Sequence, residues 1–460
     1  MSDGSAPESS VRLSPREIEV AGMVAQGLTN REIAARLFIS ERTVDGHLEH
    51  LREKLGVNTR SQVTAWVVRR ESAPVAVPPV PATIVPPPRA LLAHPRAWLA
   101  ATLVLALLAA GVGVLRLTAP PPPTIETVVG ANCAQPHYPG GCFEADEQKA
   151  LDAKLSRPTS VAVDLKGALY IADYGNRRIR KVIGGVMSTV AGGGKDPLID
   201  GALGRNVELG YASTVAVSRD QLYVLTTRGP DLEVWTIDDG GFMHPVVSLG
   251  PSNVLARQNS LNLPVGGLVI TPEGVLFIAD RAGNRVMKFD GSLSSYAGTG
   301  QPGLEDGGDA KSAKLNWPIG LALDKQENLY IADTQNKRIR KVDHATGTIK
   351  TVAGSGVFEG DSGDGGPATQ ALLSFPFGLA IASNGDVVVA DTGNHRLRVV
   401  TGGTISALAG TGRWGLAGDG APAIDAEFDG PEGVALDASG NLFIADTENQ
   451  RVREIPRVFG

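Results

Sequence analysis

Between residues 171 and 455 the chain writes nearly the same dozen residues five times: IADYGNRRIRKV from Ile171, IADRAGNRVMKF from Ile278, IADTQNKRIRKV from Ile331, VADTGNHRLRVV from Val389 and IADTENQRVREI from Ile444. A weaker copy, VLTTRGPDLEVWTI from Val224, fills the remaining gap, so successive starts lie 53, 54, 53, 58 and 55 residues apart. A regular period of this size demands a stack or ring of like units, because one unit alone leaves an apolar face uncovered. Each unit has an upstream strand of G-x-A-x-D type, as in Pro318-Ile319-Gly320-Leu321-Ala322-Leu323-Asp324, then a turn, L-Y-I-A-D, N-x-R-I-R-K-V and T-V-A-G. Four short alternating strands with turn residues between them predict a propeller blade, and six units predict an all-β six-bladed propeller over residues 120–460.

The repeat resembles NHL repeats over about 340 residues. A-D-x-x-N-x-R-[ILV] stands nearly verbatim in four units, with one residue inserted in the copy at Ile278, while the second unit lacks both the Asp and the Asn-x-Arg. Some six-bladed propellers related to this class are metal-dependent lyases or lactonases with His and carboxylates around the central channel. Here His137, His244, His344 and His395 share no repeat position, and none sits beside a carboxylate in a zinc spacing. Asp173, Asp280, Asp333, Asp391 and Asp446 are read as caps on the turn after their strand, paired with a repeated Arg. The segments GDSGDGGP and GLAGDGAP lack the ladder of a calcium loop and are read as inter-blade turns. No catalytic residue, metal ligand or cofactor is predicted, and the chain is read as not an enzyme. The sixth unit stops at Gly460 before its T-V-A-G, so residues 124–130, which include Ile125-Glu126-Thr127-Val128-Val129-Gly130, are expected to complete the last blade beside Arg451 to Ile455.

Ahead of the repeats, residues 97–115, AWLAATLVLALLAAGVGVL, have only Trp98 and Thr102 with side-chain polar atoms. At ~1.5 Å per residue the run spans roughly 28 Å, the thickness of a bilayer core, and predicts a single transmembrane helix. Arg69, Arg70, Arg89 and Arg96 precede it, whereas after Arg116 no Lys or Arg occurs until Lys149. By the positive-inside rule the N-terminus is cytoplasmic and the propeller extracytoplasmic at the cell membrane. The formal charge of −6 divides into +3 for residues 1–119 and −9 beyond, which argues against nucleic acid as the outer partner. Cys133 and Cys142 fall on the outer side and read most simply as a disulfide around a short loop, with free thiols or half a metal site as alternatives. Thr102, Ala106, Ala109, Ala110 and Gly113 form a small-residue stripe suited to a homodimer.

Residues 1–12 are small and polar and read as disordered; residues 72–95, centred on PVAVPPVPATIVPPP, form a Pro-rich linker. Between them, over residues 13–71, capping boxes at Ser14–Glu17, Thr29–Glu32 and Thr59–Gln62, with an N-cap at Ser40, predict an all-α domain of four helices near 15–26, 30–37, 41–55 and 60–70. Gly27 and Gly56 stand where left-handed C-caps belong. Val44, Leu48, Leu51 and Leu55 give the third helix an apolar stripe. The run LSPREIEVAGMVAQGLTNREIAARLFISERTVDGHLEHLREKLGVNTRSQVTAWV resembles the helix-turn-helix DNA-binding domain of LuxR-type transcription factors, with L-x-x-R-E-x-E-V, S-x-R-T-V-x-x-H and K-L-G-V all in place. The resemblance implies that double-stranded DNA meets Arg31, Arg42, Thr43, Val44, Asp45, Gly46, His47, Glu49, Arg52, Lys54 and Arg60. Asp45 and Glu49 replace residues that are often basic in the family, which redirects or weakens binding.

The sequence thus predicts a membrane-bound one-component transcriptional regulator, a multidomain chain in which a LuxR-like domain is controlled by an NHL-like propeller that takes an unknown extracytoplasmic ligand or protein. Two other readings fit the residues. One is a membrane-anchored propeller enzyme of lyase or lactonase type, and the other an adhesion or scaffold propeller with a protein-docking helix-turn-helix.

Overall fold

The structure is a computed structural model. It describes residues 20–24, 28–30, 33, 44, 48, 51, 52, 54, 55, 57 and 63 and, from residue 122 on, all but 132–146, 229, 230, 252–265, 357, 358 and 460. The chain divides into two compact units, Met1–Pro120 and Pro121–Gly460.

In the first unit, apolar side chains from successive helical segments close on one core: Val20, Val24, Ile33, Val44, Leu48, Leu51 and Val63 are all buried. The amide of Ile33 reaches the carbonyl of Thr29 at 2.9 Å, the first intrahelical bond expected of a Thr29 N-cap. The amides of Leu28 and Val57 reach back five residues to Met23 and Arg52, at 3.2 and 2.9 Å. That is the six-to-one closure of a Schellman end, and each bond spans one of the glycines expected as C-caps. Among the described residues no helix is long and apolar enough to cross a membrane. The run 97–115, the linker 72–95, Cys133 and Cys142 all lie outside the described residues.

The second unit consists of six antiparallel sheets, one per repeat. Inner strands are Pro158–Val163, Tyr211–Ser218, Leu268–Ile270, Pro318–Leu323, Pro376–Ile381 and Pro431–Leu436, in blades 1 to 6. The L-Y-I-A-D segments form second strands; in Leu169–Asp173, Leu329–Asp333 and Val387–Asp391 every residue is buried, because both faces meet a neighbouring sheet. Facing blades interlock: Tyr170, Ala172 and Ile179 of blade 1 pack with Val215, Val224 and Trp235 of blade 2. The second unit of the sequence forms a full blade, Tyr211–Ser218, Gln221–Arg228, Asp231–Ile237 and Phe242–Pro251, although its turn residues are missing. Blades 1 and 2 each gain a two-residue edge strand, Gln148–Lys149 and Ala202–Leu203, too short to leave a pattern in the sequence.

The ring closes as the sequence predicts. Glu126–Val129 pairs antiparallel with Arg451–Ile455, with Glu126 opposite Glu454 and Val129 opposite Val452. Ile125 and Val129 are fully buried. Backbone bonds stitch the strand on both sides, from Gly420 to Ile125 at 2.8 Å and from Ala131 to Ala153 at 2.7 Å. Gly130 ends it at φ 112°, where a Cβ would stand 2.6 Å from the carbonyl oxygen of Gln450.

Candidate functional site at the channel mouth

The repeated residues build the turns at one end of the ring. Outside blade 2 each second strand ends in Asp, and in blades 1, 4 and 5 one turn of 3-10 helix follows, Tyr174–Asn176, Thr334–Asn336 and Thr392–Asn394. Asp333 accepts the Asn316 amide at 2.7 Å, the Asn336 side chain at 2.8 Å and Arg340 at 3.2 Å. Asp391 accepts the Ser374 amide and Asn394 at 2.7 and 2.8 Å, and Asp446 accepts the Asp429 amide and Asn449 at 2.9 and 2.8 Å. Each acid therefore fastens its own turn to the segment that leads into its inner strand. Burial raises Asp391 to about 6, opposed by Asn394, the Ser374 amide and Arg398.

The second Arg of N-x-R-x-R is fully buried in blades 1, 4, 5 and 6, as Arg180, Arg340, Arg398 and Arg453. In blades 4, 5 and 6 it pins the glycine-rich loop that precedes its blade: Arg340 meets Asp306 at 3.0 Å, Arg398 meets Asp364 at 2.7 Å and Arg453 meets Asp419 at 2.8 Å. The repeated acids are thus structural, and the glycine-rich segments are inter-blade connections, as the sequence predicts. One expectation is corrected: the copy at Ile278 carries no insertion. Asp280 faces Arg285 as Asp333 faces Arg338, so the turn has the same length and its Asn has moved one place. Asn284 takes the left-handed position at φ 49°, and the Gly283 amide replaces the missing side chain on Asp280 at 2.9 Å.

The residue after the Asp separates the blades into two kinds. Thr334, Thr392 and Thr447 each donate a hydroxyl to the first carbonyl of the next inner strand, at Pro376, Pro431 and Pro158, at 2.7 to 2.8 Å. In blades 1 and 3 this clasp is replaced by Tyr174 and Arg281. Tyr174 stacks on Tyr211 at 5.0 Å, and the Arg281 guanidinium lies 4.2 Å from the centre of the Trp317 ring. Arg177 covers the Tyr211 ring at 4.5 Å and donates to its hydroxyl at 3.0 Å.

Below them the inner strands surround a channel cavity of about 110 Å³. One ring of its lining is Thr159, Ser213, Gly266, Ile319, Phe377 and Glu432, one residue from each blade. Glu432 is the single charge in that ring. It is 5 % exposed, and its Oε2 is buried with no hydrogen-bond partner. Burial pushes its carboxyl up to about 8; Arg157 and Arg281 oppose the rise and Glu448 adds to it. Arg157 is itself held by Glu448 at 3.1 Å. Arg281 is lowered to about 10 by burial, against the pull of Tyr174 and Glu432. Burial raises Tyr174 to about 12. These mutual influences gather Arg157, Tyr174, Arg281 and Glu432 at one end of the channel. The sequence reading missed this group, because each member occupies a repeat position filled by something else in the other copies. Aligning the inner strands on Ser160, Thr214, Gly267, Gly320, Gly378 and Gly433 exposes the variable residue just before.

Among the described residues no histidine lines the cavity. His244 bonds Asp200 at 2.7 Å on the exposed rim, His344 is 3.9 Å from Glu327 and His395 is 3.6 Å from Asp429. Among the described residues no three His, Cys, Asp or Glu side chains gather as a metal site. His137 lies outside the described residues.

Of the residues expected to meet DNA, Arg31, Arg42, Thr43, Asp45, Gly46, His47, Glu49 and Arg60 lie outside the described residues. Lys54 is exposed and Arg52 half-buried. Val44 is fully buried in the core of its unit, so its expected place on the DNA-facing surface is corrected: it supports the helix from within.

Comparison with known proteins agrees with both units. The model of bacterial regulatory proteins of the luxR family matches residues 11–67, that of the NHL repeat matches residues 373–400 and 428–455, and that of the teneurin NHL domain matches residues 124–183. NHL repeat-containing protein 2 of Gallus gallus is 28% identical over 288 residues, 54% of this chain and 39% of that protein. Oxygen regulatory protein NreC of Staphylococcus aureus is 36% identical over 59 residues, 13% of this chain and 27% of that protein. The chain thus spans well under half the length of the curated relatives it matches. An auxiliary nutrient binding protein from Bacteroides ovatus superposes with a TM-score of 0.52 at 17% identity, covering 72% of this chain and 75% of that one, a likeness of fold. The N-terminal unit is a LuxR-type DNA-binding domain, and the C-terminal unit is a six-bladed propeller carrying NHL repeats.

Proposed function

We propose that this chain is a single-pass membrane regulator of transcription. Residues 97–115 cross the bilayer with the N-terminus in the cytoplasm, the LuxR-type domain binds DNA there, and the propeller outside senses a ligand. The observation that carries the reading is the joining of the two units in one chain. The strand that closes the propeller, Glu126–Val129, begins eleven residues after the apolar run ends at Leu115, so the element that seals the ring is also the element that tethers it. The propeller serves as a binding module, since its repeated Asp, Asn and Arg are engaged in holding turns and loops. Asp45 and Glu49 set a modest affinity for one copy, and two tethered copies engage half-sites about one helical turn apart.

Genomic DNA recovered with the intact protein tests the reading. Enrichment of a small set of promoter sites is expected, with Arg42→Ala reducing it and Asp45→Lys raising general DNA affinity by relieving phosphate repulsion. Recovery no different from random fragments, or indifference to both substitutions, defeats it.

A further inference from the structure

We propose that the channel mouth is the ligand site of the propeller, and that it takes a small organic monoanion with an apolar body. The acid group sits between the Arg281 guanidinium and the Glu432 carboxyl, and the body lies against Ile319 and Phe377. The inference deepens the sensing role proposed above and rests on it.

Three observations converge on it. First, Oε2 of Glu432 and the Ser213 hydroxyl are buried in one ring of the wall without a partner, whereas the Thr159 hydroxyl donates to the Ser213 carbonyl at 2.9 Å and that of Thr214 to the Gly266 carbonyl at 2.6 Å. Buried polar atoms are seldom left so unless something else satisfies them. Second, the ring breaks its own symmetry. Where three blades repeat a Thr clasp, two carry Tyr174 and Arg281, and both act electrostatically on Glu432 or are acted on by it. Third, the wall is two-sided. Blades 4 and 5 present Ile319 and Phe377, blades 1 and 2 present Thr159 and Ser213, and Gly266 of blade 3 leaves its ring position empty of side chain.

Charge selects the class. At neutral pH the carboxyl of Glu432, raised by burial to about 8, is largely protonated and offers a hydrogen to an anion. Arg281 remains cationic, Arg157 is balanced by Glu448, and Tyr174 remains neutral. A guanidinium beside a neutral donor offers hydrogens to both oxygens of a carboxylate or similar monoanion and repels an ammonium group.

Benzoate and benzylammonium, matched in shape and opposite in charge, test the proposal on the full-length protein, read by Trp317 fluorescence and by the shift in melting temperature. Benzoate should bind and benzylammonium should not. Benzoate affinity should fall about tenfold between pH 7 and 9 as Glu432 ionises. Arg281→Met should weaken benzoate at least about tenfold, the scale of a charge-assisted hydrogen bond. Glu432→Gln, which still donates, should hold benzoate within about threefold at pH 7 and abolish that pH dependence. Trp317→Phe should silence the fluorescence change yet keep the melting shift. Preference for benzylammonium, no binding of either probe, or indifference to Arg281→Met overturns the site. If Arg281→Met does not fold, an unaltered pH profile in Glu432→Gln overturns it alone. Benzoate binding that leaves promoter occupancy unchanged upholds the site and defeats the sensing role.

Discussion

At the scale of single residues, the propeller depends on charges placed where water does not reach. Asp391 and Arg398 are both fully buried 3.6 Å apart, and Arg398 also holds Asp364 at 2.7 Å. Such a pair adds little when intact compared with apolar packing, but removing one member leaves a buried charge uncompensated, at a cost on the order of 3 kcal/mol. Arg398→Met is therefore expected to lower the urea midpoint of the propeller clearly, and Asp391→Asn added to it should recover a good part of the loss. Additive losses in the double variant would mean that the two side chains do not act as a pair. This structural use of the repeated Asp was legible, because an acid followed three places later by Asn and five by Arg describes a turn. Glu432 was not, because a Glu after Pro431 in one copy looks like ordinary variation beside Thr159, Ile319 and Phe377. Only the ring shows that these residues face one cavity.

At the scale of strands and blades, period did most of the predicting. Fifty-odd residues per unit and four alternating runs left little choice of architecture, and the fourth-strand deficit at Gly460 pointed to residues 124–130. The turn in blade 3 was misread as longer because Asn moved into the left-handed position, a backbone choice that spacing alone does not reveal. The edge strand Gln148–Lys149, paired with Met187 and Val186, was invisible because two residues are too few to show an alternation. The closing strand carries the clearest expectation at this scale. Deleting residues 124–130 exposes the edge of Arg451–Ile455 and empties the places of Ile125 and Val129. The propeller should then melt many degrees lower and aggregate through the open edge. An unchanged melting curve would show that the ring holds without its seam.

At the scale of the whole molecule, two units of different chemistry share one chain, the first net basic and the second net acidic. On the proposed topology, a reporter that works only after export should be active when fused at Gly460 and silent when fused at Met1. The reverse pattern would invert the orientation, and silence at Gly460 would remove the propeller from the outer compartment. The path of the closing strand bears on how such a molecule takes a load. Glu126 enters opposite Glu454, at the end of the blade away from the channel mouth, and Val129 leaves opposite Val452, beside the turn that begins at Asp446. Tension between something held at the mouth and the tether at the far end would thus run along the strand and not across it. It would strain the bonds between Glu126–Val129 and Arg451–Ile455 together, in shear, where a sideways pull would peel them one by one.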